Sequence, residues 1–340
     1  MQKGFAVIGA GTWGQNHARV YKEHEGARVV WVCDANEATA RKVAGEHEAE
    51  KFTSDYREVV ADPSVDAVSV ATPDFAHAEI VIAAAKAGKH VMCEKPLATT
   101  EAECLAMIEA ANKAGVMLMT AFHNRFSPPV CQAKQAVQDG ELGDILYIYY
   151  RLSDTIFVPT KMLSWAGKSS VLWFIGSHLI DTCCWIIGKP VRRVHGLSRS
   201  RVLKGIGIDT PDFYCSTLEF EGGAVAVLEN CWVLPETLPT IVDVKAEIVG
   251  SKGAIFMDTS SHRAVQKYTQ QKGSYPDVLV NYQIHGRAMG FGPECIRHFV
   301  DCVVKDQPPL VTGEDGLRAA RIVLAIEEAI RRGAPVEVPA

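Results

Sequence analysis

No stretch of this chain holds the roughly 18 consecutive apolar residues that a membrane-spanning helix needs, so no membrane span is expected. The first residues, MQKGFAVIGAG, run straight into a strand-like segment and a glycine loop, which leaves no room for a secretory signal. Blocks of Lys or Arg are missing too, and with them any footprint for a phosphate backbone, so nucleic-acid binding is not expected. The ten cysteines form no CxxC pair. Several lie in apolar runs (Cys33, Cys93, Cys215, Cys231), where a free thiol behaves as a small hydrophobe, and Cys183 with Cys184 reads as core rather than redox chemistry. Cys295, His298 and Cys302 share helical spacing, but they sit in ECIRHFVDCVV, whose apolar pattern is that of a packed helix. No metal site is expected there. Internal repeats and low-complexity segments are absent. From these absences a cytoplasmic protein is expected.

What is present is size and an ordinary globular composition. With 340 residues, 48% apolar and 22% charged, the chain has room for two domains and a large core. The 35 basic and 40 acidic residues are mixed along it, for a net charge of −5.

The first 120 or so residues alternate. Short apolar runs (GFAVIG, RVVWVCD, DAVSVAT, HVMCEK, VMLMTAF) are separated by helix-like stretches such as Trp13–His24, Phe75–Ala87 and Thr100–Lys113. That rhythm predicts βαβ units and a doubly wound, mainly parallel sheet. Beyond Pro128 and Pro129 and one more helix, the pattern changes to long alternating runs: ILYIYYRLS, VRRVHGLSR, FYCSTLEF, AVAVLENCWV and IVDVKAEIVG. FEGGAVAV supplies a glycine hairpin turn between two of them. Such strands, without intervening helices, predict a large, mostly antiparallel sheet with one open face. Helices over Pro293–Lys305 and Gly313–Arg332 close the chain.

GAGTWG, Gly9 to Gly14, matches GxGxxG. By itself that pattern is weak, since glycine-rich hexamers occur in ordinary turns. Its setting strengthens it: a strand precedes, a helix follows, and Asp34 ends the next strand. Gly9 permits the tight turn, Gly11 lets the backbone approach a pyrophosphate, and Gly14 lets helix and strand pack closely. The helix N-terminus then offers N–H groups and a positive dipole end to the phosphates. The Asp34 carboxylate suits the adenosine ribose hydroxyls and repels a 2′-phosphate, while Arg41 and Lys42, a helical turn or two further on, are less well placed to receive one. NAD is therefore the expected cofactor.

HVMCEKPLATT places Glu94, Lys95 and Pro96 at the carboxyl end of the fifth strand, where doubly wound sheets bind ligands. A lysine in a turn is ordinarily a solvated surface residue. Here it sits where a nicotinamide is expected. Partly desolvated beside a cation, its pKa is expected to fall toward usefulness as an acid or base.

With GAGTWG, ATPDFAH (Ala71–His77), EKP, FHNRFSP around Arg125, and GSHLID, the chain resembles the glucose–fructose oxidoreductase/inositol dehydrogenase (Gfo/Idh/MocA) family over essentially its whole length. The resemblance implies an N-terminal Rossmann domain, residues 1–122. It implies a C-terminal α/β domain, residues 123–340, whose large open sheet binds substrate and makes homodimer or homotetramer contacts. It also implies hydride transfer at a carbinol carbon of a sugar or cyclitol. Carried over by position, Lys95 stands by the reacting hydroxyl. Gly9, Gly11, Thr12, Trp13, Gly14, Asp34, Thr72, Pro73, His77, Glu94, Asn124 and Trp165 join it around the cofactor. Arg125 borders the substrate.

In VLWFIGSHLID a turn of 100° per residue puts Leu172, Ile175, Leu179 and Ile186 on one apolar stripe. Phe174, His178, Asp181 and Trp185 share an adjacent one. From spacing alone, His178 reads as a satisfied structural residue; the resemblance makes it catalytic. There is one departure. Many family members carry an Asp four residues before that His, where this chain has Phe174. The proton-handling set shrinks to Lys95 and His178, with Asp181 a candidate orienter and Phe174 facing the substrate. The resulting expectation is an NAD-dependent dehydrogenase acting on a secondary hydroxyl of a sugar, glycoside or cyclitol. Its rivals are a glycosidase assisted by transient oxidation with bound NAD, and a non-enzymatic dinucleotide-responsive regulator.

Overall fold

The computed structural model describes residues 2–260 and 265–339. The chain forms two compact units: residues up to His123 together with Val280–Ala320, and Asn124–Leu279 together with the chain from Arg321 onward.

In the first unit, β1 (Lys3–Ile8), β2 (Ala27–Cys33), β3 (Lys51–Thr53), β4 (Ala67–Val70), β5 (His90–Cys93) and β6 (Leu118–Thr120) form one parallel sheet. Its order is β3-β2-β1-β4-β5-β6. The central strands are apolar on both faces, and all four residues of β4 are buried, as helices on both sides of a sheet require. The intervening helices are α1 (Thr12–Glu23), α2 (Glu37–Glu46), α3 (Tyr56–Ala61), α4 (His77–Lys86) and α5 (Glu101–Ala114). Asn36, Asp55 and Thr100 cap α2, α3 and α5 with side-chain oxygens. By contrast, α1 starts at Gly11 with no side-chain cap and no acidic residue in its first turn. The strand order reverses between β1 and β4, so GAGTWG, ATPDFAH and EKP all leave the sheet along its carboxyl edge.

The second unit begins with α6 (Pro128–Gln138), β7 (Ile145–Asp154) and α7 (Ser177–Ile187). Then follow β8 (Val191–Arg199), the short α8 (Val202–Gly205), β9 (Phe213–Phe220), β10 (Val225–Cys231), β11 (Val242–Gly250) and β12 (Ala254–Asp258). A minimal hairpin, β13 (Lys267–Tyr268) with β14 (Gly273–Ser274), comes next. The segment that returns to the first unit holds β15 (Tyr282–Ile284), β16 (Arg287–Met289) and α9 (Phe291–Lys305). The long α10 (Gly313–Arg332) and β17 (Val336–Glu337) end the described chain.

The large sheet runs β12-β11-β7-β10-β9-β8-β17. Every neighbouring pair is antiparallel except β7 and β10. Burial alternates with the pleat: Tyr214, Ser216, Leu218 and Phe220 of β9 point inward, while Cys215 faces out, contrary to its expected burial in an apolar strand. Across the outward face one row reads Phe256, Glu247, Tyr149, Val227, Thr217 and His195.

The glycine loop is held by a backbone approach that a side chain would block. A Cβ on Gly14 would lie 1.8 Å from Gly9 O, and Gly9 itself has φ +96°, where a Cβ would meet Ala71 O at 2.5 Å. Gly14→Ala must therefore push α1 off the loop. The expected outcome is a lower melting temperature, from overpacking of about 1–3 kcal/mol, and a loss of NAD affinity by calorimetry. Unchanged values for both would show that α1 does not depend on this contact.

Candidate active site

At the glycine loop, Ala10 N donates to Asp34 Oδ2 at 2.8 Å and Asn36 N donates to Oδ1 at 2.9 Å. The half-buried carboxylate is thus fixed through one bond to each oxygen, and each keeps lone-pair capacity for ribose hydroxyls. Nothing lies within 4 Å of where a Cβ on Gly11 would be, beside the uncapped first turn of α1. Open space, free backbone donors and a fixed carboxylate make a seat for a dinucleotide. Trp13, on the first turn of α1, stacks on His123 with ring centroids 5.0 Å apart. Burial, aided by the Lys95 charge, pushes the His123 pKa down to about 4 against the pull of Glu94.

Thr72 and His77 follow β4. The ring nitrogens of His77 face carbonyl oxygens, Nδ1 that of Pro96 and Nε2 that of Thr72, each at 2.9 Å. His77 therefore ties the Thr72 loop to the turn that carries Lys95. Pro73 introduces the single 3₁₀ turn before α4, and the Thr72 hydroxyl is buried with no hydrogen-bond partner among the described residues, which suits it to bonding a cofactor. The Lys95–Pro96 peptide is cis, and Lys95 is half-buried beside the buried Glu94. Glu94 Oε1 lies 3.0 Å from His17 Nε2 on α1, a partnership the motifs did not signal. The phase of α1 did contain a clue, because His17 shares its buried face with Gly14, Ala18 and Tyr21.

In the second unit, Arg125 and Asp181 form a two-pronged ion pair with both groups buried. Nε donates to Oδ2 at 2.9 Å, and Nη2 donates to Oδ1 at 2.5 Å. Asp181, the candidate orienter of His178, accepts from Arg125 with both carboxylate oxygens, and the guanidinium also lies over Trp185. Asn124, one residue earlier, accepts Ser127 N at its carbonyl and so closes the turn that presents Arg125.

The VLWFIGSHLID stretch departs from a uniform α-helix. Leu172–Gly176 is one turn of π-helix and α7 starts at Ser177, an irregularity frequent at functional sites. Leu172, Ile175, Leu179 and Ile186 are buried as their spacing predicts. His178 lies in the first turn of α7 and is buried, whereas Phe174 is half-exposed among buried neighbours. The Phe174 ring lies 6.1 Å from that of Trp165, edge-on, and 5.7 Å from that of Trp232. Trp232 Nε1 donates to Asp154 Oδ2 at 3.1 Å. Trp232 and Asp154 were not singled out from sequence; they stand 78 residues apart and no local pattern joins them.

The ion pair generates a test. Removing one partner leaves the other charge buried and uncompensated, which costs about 3–5 kcal/mol. Asp181→Ala should lower the denaturant midpoint accordingly, and the charge-free pair Arg125→Met with Asp181→Leu should recover much of the loss. Equal stability of Asp181→Ala and wild type would refute a dry, structural pair.

Comparison with known proteins agrees with this geometry. The family description "Oxidoreductase family, NAD-binding Rossmann fold" matches residues 3–122, and "Oxidoreductase family, C-terminal alpha/beta domain" matches residues 134–338. The scyllo-inositol 2-dehydrogenase (NAD(+)) of Bacillus subtilis (strain 168) is 30% identical over 98% of this chain and 95% of its own. A myo-inositol 2-dehydrogenase of Thermotoga maritima is 30% identical over 98% and 97%. A levoglucosan dehydrogenase solved with NADH and levoglucosan superposes with a TM-score of 0.84 at 27% identity, covering 100% of both chains. With both halves matched, and the glycine loop, Asp34 and the Lys95 turn aligned on one sheet edge, the chain belongs to the Gfo/Idh/MocA oxidoreductase family, whose N-terminal domain binds NAD.

Proposed function

We propose that this protein is an NAD-dependent dehydrogenase that oxidises a secondary hydroxyl of a sugar, glycoside or cyclitol. The observation that carries this reading is the Lys95 turn at the carboxyl edge of β5, in the same parallel sheet as an uncapped glycine-loop helix and an anchored Asp34. The names of the relatives, inositol and levoglucosan dehydrogenases, support the substrate class.

NAD supplies the acceptor for the hydride. The chain does the rest. The first-turn amides of α1 and the Asp34 carboxylate hold the pyrophosphate and the ribose, with Thr12, Trp13, Thr72, Pro73, Glu94, Asn124 and Trp165 around the cofactor. His77 positions the Thr72 and Pro96 backbone. Lys95 takes the hydroxyl proton, and His178 hydrogen-bonds the reacting or adjacent oxygen. Arg125, set by Asp181, contacts substrate, and Phe174 covers an apolar face of it and excludes water.

Residues 1–122 form the cofactor domain in this reading, and 123–340 the domain for substrate and self-association. The outward sheet face, with Leu197, Val227 and Phe256 exposed among charged neighbours, suits a second copy in a homodimer or homotetramer. All ten cysteines are free thiols, which fits the cytoplasm. Among the described residues, no helix is long and apolar enough to cross a membrane.

The direct test is an absorbance screen for NADH over inositols, aldoses, glycosides and anhydrosugars. Aglycone release without steady NADH would identify the glycosidase, and neither signal a regulator. Once a substrate is found, Lys95→Ala should lower turnover about 100-fold or more, with NAD binding little changed by calorimetry. Turnover within a few-fold of wild type would remove Lys95 from the chemistry. Phe174→Ala should raise KM for that substrate about tenfold, the scale of an aromatic contact, and leave NAD affinity and melting temperature nearly unchanged. A loss of roughly 3–5 kcal/mol of stability with normal KM would instead mark Phe174 as core.

A further inference from the structure

Beside the turn that carries Lys95, the first unit contains a line of buried polar groups, of which only Glu94 has a place in the reading above. His17 and Tyr21 stand one helical turn apart on the buried face of α1. The Tyr21 hydroxyl is in hydrogen-bond contact with Ser69 Oγ on β4. Ser69 Oγ lies 2.7 Å from His17 Nδ1, and His17 Nε2 lies 3.0 Å from Glu94 Oε1. Tyr21, Ser69 and His17 have no exposed surface, and Glu94 is 7% exposed.

Counting donors orders the line. A carboxylate only accepts, so His17 Nε2 carries the proton that Glu94 receives. With a neutral ring, Nδ1 then offers a lone pair, Ser69 donates to it, and Ser69 Oγ accepts the Tyr21 proton; a protonated ring would donate to Ser69 and Glu94 alike and would still hold Glu94 as its carboxylate. The opposite tautomer would set a ring lone pair against the carboxylate and leave the Tyr21 proton no acceptor in the line. Aligned in this way, successive hydrogen bonds polarise one another toward Oε1.

The line ends on a group that burial alone would neutralise. Burial raises the Glu94 pKa, but the hydrogen bond from His17 and the positive charge around it, that of Lys95 included, outweigh burial and hold Glu94 below the usual carboxylate range. Among the described residues, Glu94 is faced by His17 and Tyr21 from α1, Lys95 on its own turn, His123 beyond β6, and the Cys93 thiol at the end of β5. His123 is pushed down to about 4 and so is uncharged at neutral pH, and the Cys93 thiol is pushed up. Cys295 faces the far end of the line, at Tyr21. Glu94 and Lys95 are thus opposed charges on adjacent residues.

We propose that the Tyr21–Ser69–His17 line keeps Glu94 a carboxylate next to Lys95, which makes His17 a positioning residue that sets the pH at which Lys95 becomes a base. The catalytic part of this inference rests on Lys95 being the base; the electrostatic part does not. An ionised Glu94 stabilises the Lys95 ammonium, so losing its charge makes Lys95 give up its proton at lower pH.

The test is competitive labelling of the NAD-bound protein with acetic anhydride across pH, with Lys95 followed by mass spectrometry. Glu94→Gln should move the labelling midpoint of Lys95 down by about one pH unit or more. His17→Asn, whose amide reaches Ser69 but not Glu94, should do the same. His17→Gln, whose amide reaches Glu94, should stay near wild type. The double variant His17→Asn with Glu94→Gln should move no further than Glu94→Gln alone. A midpoint unmoved by His17→Asn, moved equally by His17→Gln, or moved further in the double variant would overturn the proposal. If His17→Asn does not fold, Ser69→Ala carries the test: a smaller shift in the same direction supports the line, and no shift overturns it. The acid limb of kcat/KM, measured with the alcohol found in the NADH screen, separates the two parts. If the midpoint moves and the limb does not, Lys95 is not the base and the line stands. If the midpoint stays, the line fails whatever the limb does.

Discussion

Gly14 has no side chain, and the carbonyl of Gly9 occupies the space where one would be. Much of the first unit follows from that contact. β1 ends at Ile8, the chain turns through Gly9 and Ala10, and α1 begins at Thr12 with its first turn pressed against the loop. A helix so placed is left without a side-chain cap, and its free amides face outward at the sheet edge where an anion can sit. Asp34 ties the loop down from the neighbouring strand through Ala10 N. The same seating of α1 brings His17 and Tyr21, the next turns of its buried face, against β4 and the Glu94 turn. One packing constraint therefore sets both the phosphate seat and the polar line beneath the proposed base.

The Rossmann half was legible because its signals are local. Val-rich strands buried on both faces, side-chain caps at Asn36, Asp55 and Thr100, and a glycine loop after the first strand each declare themselves within a few residues. The second sheet was legible as alternating strands, but its order was not. β7 lies between β11 and β10 and runs parallel to β10, a pairing that no alternation pattern specifies. β17, with two residues, is too short to carry a pattern, yet it completes the edge beside β8. The return of Val280–Ala320 to the first unit depends on contacts such as Ala288 N with the Glu23 carboxylate, 265 residues away.

Within the candidate site, positions at strand ends were legible and partners were not. Spacing placed His178 and Asp181 one turn apart, which invited a link between them. A buried carboxylate also needs compensating charge, and a guanidinium with two parallel N–H groups supplies it to both oxygens at once. Arg125, 56 residues earlier, supplies it. His77 shows the same limit. Its motif placed it beside a cofactor, and its ring is engaged by the Thr72 and Pro96 carbonyls. Sequence motifs locate chemistry-bearing residues along the chain, whereas the cost of burying a polar group decides what each one holds.

Phe174 stands where the family resemblance leads one to expect an Asp, and on the proposed reading its surroundings give that difference a direction. On the proposed reading, a carboxylate at 174 would accept a substrate hydroxyl; a phenyl ring cannot. Trp232 does not compensate, because its single N–H is committed to Asp154. On that reading the surface that Phe174 offers, backed by the buried Trp232 ring 5.7 Å away, is apolar. A hydroxyl turned toward it would shed its water without a replacement, at about 1–3 kcal/mol. A C–H face or a ring ether turned the same way would shed little. Two related substrates that differ only in the hydroxyl at that position should thus separate by about 10- to 100-fold, because this surface discriminates by withholding a hydrogen bond rather than by making one.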